Sequence, residues 1–379
     1  MRLFLFLSAL IAIASCSPKS VQQAPESGSE LGFSIDLFRN AVRQSAADAN
    51  VTVSPYSAGV ALSMLAEGAG GQTAVELDKV LNGCRFVNTD LGSNDTVVVK
   101  SANSVWISDD FSIRNTYVER LSKEYEAFAD VMDFADPETI RAINNWCSEN
   151  TEGMVRDVVK KLNPQTVMIL ANALYFKAPW ETPFDPHSTH KDVFHGSEGD
   201  SDALFMSRKL TCGYVDYAGN QMVSLPYEGG RYSMYVFLPS EDLNVNGVLS
   251  YLSESGLKDV MKNMAPKRVR LTLPKFKVES EMSLVKTLEA MGMRSAFSTA
   301  ADLSGIGRGP LAVSDVFQKA VVEVDENGSE AAAVTTVTVN LTSARVNTDP
   351  VMTVNRPFYY MIADLEAGRI LFAGRIMNL

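Results

Sequence analysis

The sequence predicts an α+β fold built on a large mixed β-sheet. Segments with helical periodicity crowd the first half of the chain, whereas short strand patterns dominate from about residue 204 onward. The two patterns do not alternate, which argues against a doubly wound parallel sheet. The chain has 379 residues, of which 46% are hydrophobic, and can therefore bury a large core. Since no linker follows Ser29, we expect residues 30–379 to form one domain.

Three helices are predicted at the start of this domain. Apolar residues recur at helical spacing at Leu31, Ile35, Phe38 and Val42. A second helix should begin at Ser54 and Pro55, with the serine as N-cap and the proline in the first turn, and end at Gly68. Thr73 and Glu76 have the spacing of a capping box, which predicts the start of a third helix.

Strand and helix patterns follow in mixed order. Residues 96–107 are rich in β-branched and apolar residues and predict a strand. Residues 136–159 predict a further helix. The apolar run 167–176 predicts a buried central strand. In the second half, residues 283–291 form the one clear helical segment, and residues 304–310 predict a turn rather than a phosphate-binding loop.

The N-terminus has the pattern of a secretory signal. Residues 1–15 combine a basic Arg2 with an apolar run that is too short to span a bilayer, which takes about 20 apolar residues. The sequence from Ile13 to Cys16 resembles a bacterial lipobox, in which the cysteine receives a lipid. The alternative is an ordinary signal peptide that is cut nearby. Residues 16–29 are polar and predict a flexible tether.

This pattern predicts export across the inner membrane. We expect a protein that is lipid-anchored through Cys16 to a bacterial envelope membrane, periplasmic or surface-exposed, and that touches the membrane only through the anchor.

Composition and motifs argue against several functions. The formal net charge is −11 and the sequence shows no basic cluster, so nucleic acid is not an expected partner. His187, His190 and His195 lack the spacing of a zinc protease, so no metal is expected. No G-x-S-x-G motif is present, and Cys84, Cys147 and Cys212 show no C-x-x-C spacing. We therefore expect neither a cofactor nor catalysis. The three thiols should be buried or idle.

The segment after Val324 combines a strand pattern with the setting of a loop. Residues 321–324 alternate as a strand and residues 325–328 should form a turn. Residues 329–339 then alternate again, but the polar stretch 340–349 joins them as a loop. An ordinary strand is the simpler interpretation; conditional insertion as a strand is the alternative. One face would carry Ser329, Ala331, Ala333, Thr335, Val337 and Val339, and the other Glu330, Ala332, Val334, Thr336, Thr338 and Asn340.

Four segments of the chain resemble the serpin family. Residues 50–77 are similar to the family's helix B and C region, residues 143–158 to its helix F segment and residues 172–180 to its central strand. Residues 352–362 match the family signature. The resemblance runs from about Leu31 to the C-terminus. It implies three β-sheets, eight or nine helices and an exposed reactive-centre loop at about residues 329–354.

The resemblance also implies a function. Serpins of the inhibitory kind are metastable suicide substrates, which trap a serine protease, and sometimes a cysteine protease, as an acyl-enzyme while the cut loop inserts into the large sheet. We therefore expect a monomer, not an enzyme, whose partner is a protease in covalent complex. A non-inhibitory serpin that acts as a binding or carrier protein is the alternative. Such members carry bulky, charged or proline-bearing hinges, unlike the small residues here.

By resemblance, three groups of residues are assigned roles. The hinge comprises Glu326, Gly328, Ser329, Glu330, Ala331, Ala332 and Ala333. The shutter and breach, beneath and at the opening of the sheet, comprise Ser54, Ser57, Asn172, Trp180, Lys275 and Gln318, and Lys275 should pair with Glu326. Gln318 stands where the family usually has a histidine. The hydrogen bond to Asn172 would therefore be made by a side-chain amide. Ala178 and Pro179 replace the usual glycine before the tryptophan, which leaves the local turn open.

The length of the loop predicts the reactive bond. Counting fourteen residues from Ser329, as in inhibitory members, gives Thr342–Ser343. A threonine there suits elastase-like or subtilisin-like proteases with small pockets. The alternative is Arg345–Val346, which would attract trypsin-like enzymes but would require an unusually long inserted segment.

Overall fold

A computed structural model describes residues 28–163, 165–243, 245–249, 252–329 and 349–379. These residues form eight α-helices and three β-sheets, as the resemblance implies. The helices are α1 (Glu30–Gln44), α2 (Pro55–Ala66), α3 (Gly71–Val80), α4 (Asn115–Tyr125), α5 (Pro137–Asn150), α6 (Val245–Val248), α7 (Glu254–Asn263) and α8 (Val285–Met291). In the described part of the chain, none of them is long and apolar enough to cross a membrane.

Nine strands form the largest sheet. They are β1 (Val51–Val53), β6 (Thr189–Gly196), β7 (Gly199–Tyr217), β8 (Asn220–Pro226), β9 (Tyr232–Leu238), β10 (Ala265–Pro274), β15 (Val351–Thr353), β16 (Phe358–Asp364) and β17 (Arg369–Ile376). Their order is β1-β17-β16-β9-β8-β7-β10-β15, with β6 paired to β7.

Six strands form the second sheet, in the order β11-β13-β14-β5-β2-β4. They are β2 (Val98–Ser108), β4 (Phe128–Met132), β5 (Met168–Pro179), β11 (Phe276–Ser283), β13 (Asp315–Val324) and β14 (Gly328–Ser329). The short strands β3 (Ser112–Ile113) and β12 (Gly307–Arg308) pair with each other. The chain is thus a mixed α+β protein, with most helices before residue 151 and most strands after it.

Helix α2 lies in the main hydrophobic core. Its residues from Pro55 to Leu65 are all buried, because the helix packs against both β5 and β17. The Ser54 hydroxyl caps it by accepting a hydrogen bond from the Ser57 amide at 3.3 Å, as predicted. The helix ends two residues before Gly68. This packing fixes Ser54 and Ser57 against the middle of the six-stranded sheet.

Strand β5 is the buried central strand that the sequence predicts. Every residue from Met168 to Phe176 is buried. Alternate side chains point into two cores: Leu170 and Leu174 pack in the main core, and Ala171 packs in a smaller core under α5. An apolar strand of this kind needs cover on both faces, which α2 and α5 provide.

The predicted capping box of α3 is wrong. The helix begins at Gly71, so Thr73 lies inside it, and the Thr73 hydroxyl accepts a hydrogen bond from the Asp302 amide at 3.0 Å. The Glu76 carboxylate accepts four hydrogen bonds: three at 2.7–2.8 Å, from the Arg294 amide and from the amide and hydroxyl of Ser295, and one from Gln72 Nε2 at 3.2 Å. Burial alone would raise the pKa of Glu76, but these hydrogen bonds lower it to about 2. The motif therefore clamps α3 to a distant turn.

One helix boundary and the number of helices also differ from the prediction. Helix α5 begins at Pro137 but ends at Asn150, because Glu152 and Gly153 adopt positive φ angles of 54° and 79° and turn the chain. The second half of the chain contains three helices, α6, α7 and α8, whereas the sequence predicted only the segment that corresponds to α8. Helix α7 buries only Leu257 in its core-facing stripe, which explains its weak signal.

Candidate functional site

The hinge begins with a tight turn at the end of β13. The Asp325 amide donates to the Gly328 carbonyl at 2.9 Å, and the Asp325 side chain accepts hydrogen bonds from the amides of Asn327 and Gly328. The turn predicted for residues 325–328 is therefore present. A Cβ atom at Gly328 would lie 2.1 Å from the Ala178 carbonyl oxygen, so glycine is required where the hinge passes β5.

Strand β14 places the first hinge residues between two strands of the six-stranded sheet. Ser329 pairs antiparallel with Ala178 of β5 on one side and with Val324 of β13 on the other. Its side chain is 1% exposed. Gly328 pairs with Pro179, so β5 stays extended through the segment that departs from the family glycine. The hinge thus starts a strand at the joint between β5 and β13.

Beyond this point β5 and β13 pair directly with each other. Their parallel register runs from Asp315↔Ile169 to Ala320↔Leu174. No described strand separates them over these residues. A segment that continued β14 into the sheet would therefore have to separate this pairing.

An ion pair holds the turn at the top of the sheet. Lys275 Nζ lies 2.7 Å from Glu326 Oε2, as predicted, and the Thr189 hydroxyl donates to Glu326 Oε1 at 2.7 Å. The Glu326 side chain is 10% exposed and the Lys275 side chain 33% exposed, so the carboxylate is largely shielded from water while the ammonium group stays partly solvated. Burial would raise the pKa of Glu326, but the hydrogen bonds from Lys275 and Thr189 outweigh it and lower the pKa below its usual value.

Trp180, together with Tyr227, connects the turn at Asp325 to Ser329. Its indole Nε1 donates to the Asp325 carbonyl at 3.0 Å, and its ring stacks on Tyr227 with centroids 4.5 Å apart. The Tyr227 hydroxyl lies 2.7 Å from Ser329 Oγ. Full burial raises the pKa of Tyr227. Sequence reasoning missed Tyr227, since its role depends on contacts with residues remote in sequence.

A network of neutral amides and main-chain groups lies across the joint itself. The Ser54 amide donates to Gln318 Oε1 at 2.9 Å, and Gln318 Nε2 donates to the Ser54 carbonyl at 2.9 Å. The same nitrogen donates to Asn172 Oδ1 at 3.2 Å. This is the hydrogen bond between two side-chain amides that the sequence predicts. Gln318 and Asn172 are directly paired residues of β13 and β5. The network therefore fastens α2 to both strands without a titratable group.

Asn172 extends this network to β2. Its Nδ2 donates to the Ser57 carbonyl at 2.8 Å and to Asn103 Oδ1. Asn103 is a second residue that sequence reasoning missed; an asparagine in an apolar strand is the available signal. Ser57 contributes its carbonyl, and its buried hydroxyl has no hydrogen-bond partner among the described residues.

Several predicted residues lie outside the described part of the chain. They are Cys16, Glu330, Ala331, Ala332, Ala333, Thr342, Ser343, Arg345 and Val346. The chain re-enters the described structure at Asp349, and β15 then pairs in parallel with β10, with Val351 opposite Arg270. The bond predicted to be reactive therefore lies, in sequence, between β14 and β15.

The histidines and cysteines considered for catalysis have other partners in the described structure than the residues of this site. His195 contacts Asp200 at 2.8 Å, and both side chains are more than half exposed. Cys84, Cys147 and Cys212 are free thiols. Burial raises the pKa of Cys147 to about 12 and that of Cys212 to about 11, so neither thiol is a nucleophile at neutral pH. Within the described ranges, no cluster of His, Cys, Asp or Glu could hold a metal.

Replacing Gln318 should loosen the joint between β5 and β13. Gln318→Ala removes three hydrogen bonds and leaves the buried Ser54 amide and Asn172 Oδ1 without them, so we expect a loss of at least about 2 kcal/mol in the free energy of unfolding. Urea unfolding followed by tryptophan fluorescence measures this. Gln165→Ala, at an exposed position, is the control. Equal stability of the two variants would show that the network does not hold the joint.

Comparison with known proteins identifies the family. A family model described as serpin (serine protease inhibitor) matches residues 29–379. An uncharacterised serpin-like protein of Thermococcus kodakarensis is 35% identical, over 95% of this chain and 87% of its own. Intracellular coagulation inhibitor 2 of Tachypleus tridentatus is 33% identical, over 92% and 89%. The crystal structure of the thermophilic serpin tengpin in the native state superposes with a TM-score of 0.86 at 32% identity, over 92% and 93%. The chain belongs to the serpin family, whose members are usually protease inhibitors.

Proposed function

We propose that this chain inhibits serine proteases as a suicide substrate and traps the acyl-enzyme by inserting its cut loop into the six-stranded sheet. The observation that carries the proposal is the position of Ser329, which pairs with both β5 and β13 at the end of their joint. The residues that follow are thereby aligned with the joint. The similarity to a named coagulation inhibitor supports the inhibitory class.

The register of β14 specifies where an inserted loop would lie. Ser329 is opposite Ala178 and Val324. Because both pairings are antiparallel, six further residues would place Thr335 opposite Asn172 and Gln318. Those two residues now pair with each other. Insertion would thus replace the direct contact of β5 and β13 by a new strand, with a threonine hydroxyl inside the amide network.

The same register assigns the two faces of the loop. Odd-numbered residues from 329 to 339 would share the face of Ser329, whose side chain contacts Tyr227 in the core. These residues are small or apolar. Even-numbered residues would face the α5 side, and there Glu330 would stand opposite Lys177. The small-to-apolar face would therefore enter the core, and the charged Glu330 would stay outside it.

The chemistry and energetics are consistent with trapping. The protease serine Oγ attacks the Thr342 carbonyl, the Ser343 amine leaves with a proton, and the acyl-enzyme ester remains on Thr342. Insertion of about a dozen residues would form ladder hydrogen bonds at a net of about 1 kcal/mol each, on the order of 10 kcal/mol in total. This is comparable to the stability of a whole domain, so the uncut state can be metastable. The chain itself catalyses nothing.

A carrier function is the second candidate. An apolar cavity of about 230 Å³ lies between α1, α7 and the nine-stranded sheet, lined by Phe38, Phe237, Leu257 and Tyr359 among others. A carrier would be cut in its loop without trapping the protease. Inhibition is favoured because small hinge residues allow rapid insertion.

Incubation with an elastase-like protease should give a covalent complex. We expect a complex stable to denaturing electrophoresis, and a released C-terminal peptide that begins at Ser343. N-terminal sequencing of that peptide measures the cut. A peptide beginning at Val346 would assign the bond to Arg345 instead. Simple cleavage with no complex would contradict inhibition and favour the carrier.

A positive charge on the inserting face should turn the inhibitor into a substrate. Ala331→Arg would place a guanidinium in the core opposite Phe176 and Val322, and insertion would become slower than deacylation, which proceeds at roughly 1 to 1000 per second. We expect cleavage without complex, scored by the stoichiometry of inhibition. Ala332→Arg adds the same charge on the opposite face and should retain the complex. If both variants behave alike, the register is wrong.

We also propose that Cys16 carries a lipid that anchors the protein to a bacterial envelope membrane. The spacing of the apolar run from Cys16 supports it. Wild-type protein expressed in a bacterium with labelled fatty acid should be labelled and enter the detergent phase, and Cys16→Ser should do neither. Cys84→Ser is the control. An unlabelled wild type would indicate an ordinary signal peptide.

A further inference from the structure

Two basic side chains lie directly opposite each other on neighbouring strands of the nine-stranded sheet. Lys209 of β7 pairs with Arg270 of β10, and both are exposed. Arg268 lies two positions along β10, and its side chain is 59% exposed. Like charges directly opposite each other destabilise an antiparallel pair. We call Lys209, Arg268 and Arg270 the basic patch.

The basic patch projects from the solvent face of the sheet. Val269 and Leu271, which alternate with the two arginines, are buried. Alternation along a strand therefore turns Arg268 and Arg270 to the same outer face, and Lys209, directly opposite Arg270, shares it. All three cationic side chains are thus exposed on one face of the sheet.

Little negative charge compensates the basic patch. Arg268 Nε lies 3.7 Å from Asp349. Among the described residues, no carboxylate forms an ion pair with Lys209 or Arg270. The chain has 45 acidic and 34 basic residues, so an uncompensated positive surface is contrary to its overall charge. The expectation of no basic cluster is therefore wrong: Lys267, Arg268 and Arg270 lie within four positions of one strand, and Lys209, distant in sequence, joins the two arginines in the folded sheet.

The basic patch lies where the loop rejoins the sheet. Val351 of β15 is opposite Arg270, and the Arg270 amide donates to the Pro350 carbonyl at 2.8 Å. Ser343 and Val351 are eight positions apart, a separation of at most about 29 Å when the chain is extended. A protein partner covers roughly 800 Å² of surface on each side of a stable interface. A protease bound at Thr342–Ser343 would therefore reach the basic patch.

We infer that the basic patch is a docking surface for an acidic region beside the active-site cleft of the target protease. The inference rests on the proposed inhibitory function and adds the charge of the partner. Opposite charges at this distance from the loop would steer the encounter and raise the association rate constant. A polysaccharide or membrane surface is less suitable, since a wide anionic surface would be repelled by the net charge of −11.

The test compares association rate constants with two proteases that cut the same loop bond, one acidic and one basic around the cleft. The double variant Lys209→Thr and Arg270→Thr removes two charges and keeps residues suited to a strand. Lys79→Gln with Lys123→Gln, at exposed positions on α3 and α4, removes the same charge elsewhere. Rates are measured between about 0.01 M and about 1 M salt, over which the Debye length falls from roughly 30 Å to roughly 3 Å.

At low salt, we expect the patch variant to associate with the acidic protease tenfold or more slowly than wild type, with an unchanged stoichiometry of inhibition. High salt should abolish the difference, and the basic protease and the control variant should show none. An equal decrease in the association rate constant with both proteases would overturn the inference. So would acceleration of both proteases by a sulphated polysaccharide that acts through the same residues.

Failure of the proposed inhibitory function can be distinguished from failure of the docking inference. If wild type forms no covalent complex, the proposed function fails, and docking is read from kcat/KM for loop cleavage, which depends on the same encounter. If the patch variant lowers kcat/KM for the acidic protease alone, the docking inference stands. If kcat/KM does not change in the patch variant, the docking inference fails.

Discussion

The direct pairing of β5 with β13 is the constraint on which the rest of the structure depends. These strands pair over residues 169–174 and 315–320, and Ser329 lies between them at the end of the joint. A strand inserted there would replace one hydrogen-bonded ladder by two. In the proposed mechanism the joint must be strong enough to stay closed in the uncut protein, yet its opening must cost less free energy than insertion gains.

The polar network at the joint meets both demands. Asn172 and Gln318 are buried, and an apolar pair in their place would pack without directional bonds. Hydrogen bonds in a core are strong when satisfied and costly when broken, so the amides define one closed register and resist partial opening. An incoming threonine hydroxyl could restore the bonds that opening breaks. Because the described network consists of neutral amides and main-chain groups, we expect this restraint not to change with pH.

Local signals in the sequence predicted the elements but not their long-range partners. The Ser54 cap, the buried strand β5 and the turn at Asp325 follow from patterns within a few residues, and the structure contains all three. Tyr227 and Asn103 act through residues far away in the chain; no local pattern marks Tyr227, and a polar residue within a strand is the only local sign of Asn103. Glu76 shows the reverse case: its spacing fits a cap, but its partners lie on a distant turn.

The two ends of the loop would have different roles in the proposed mechanism. Cleavage at Thr342–Ser343 leaves the protease on the segment that begins at Ser329, whereas the segment that ends in β15 stays beside the basic patch. Insertion therefore carries the protease away from Lys209 and Arg270. Charge there can act on the encounter but adds nothing to the final complex, whose stability comes from the new strand. Rate of capture and permanence of capture would thus be set by separate surfaces, and each could change without disturbing the other.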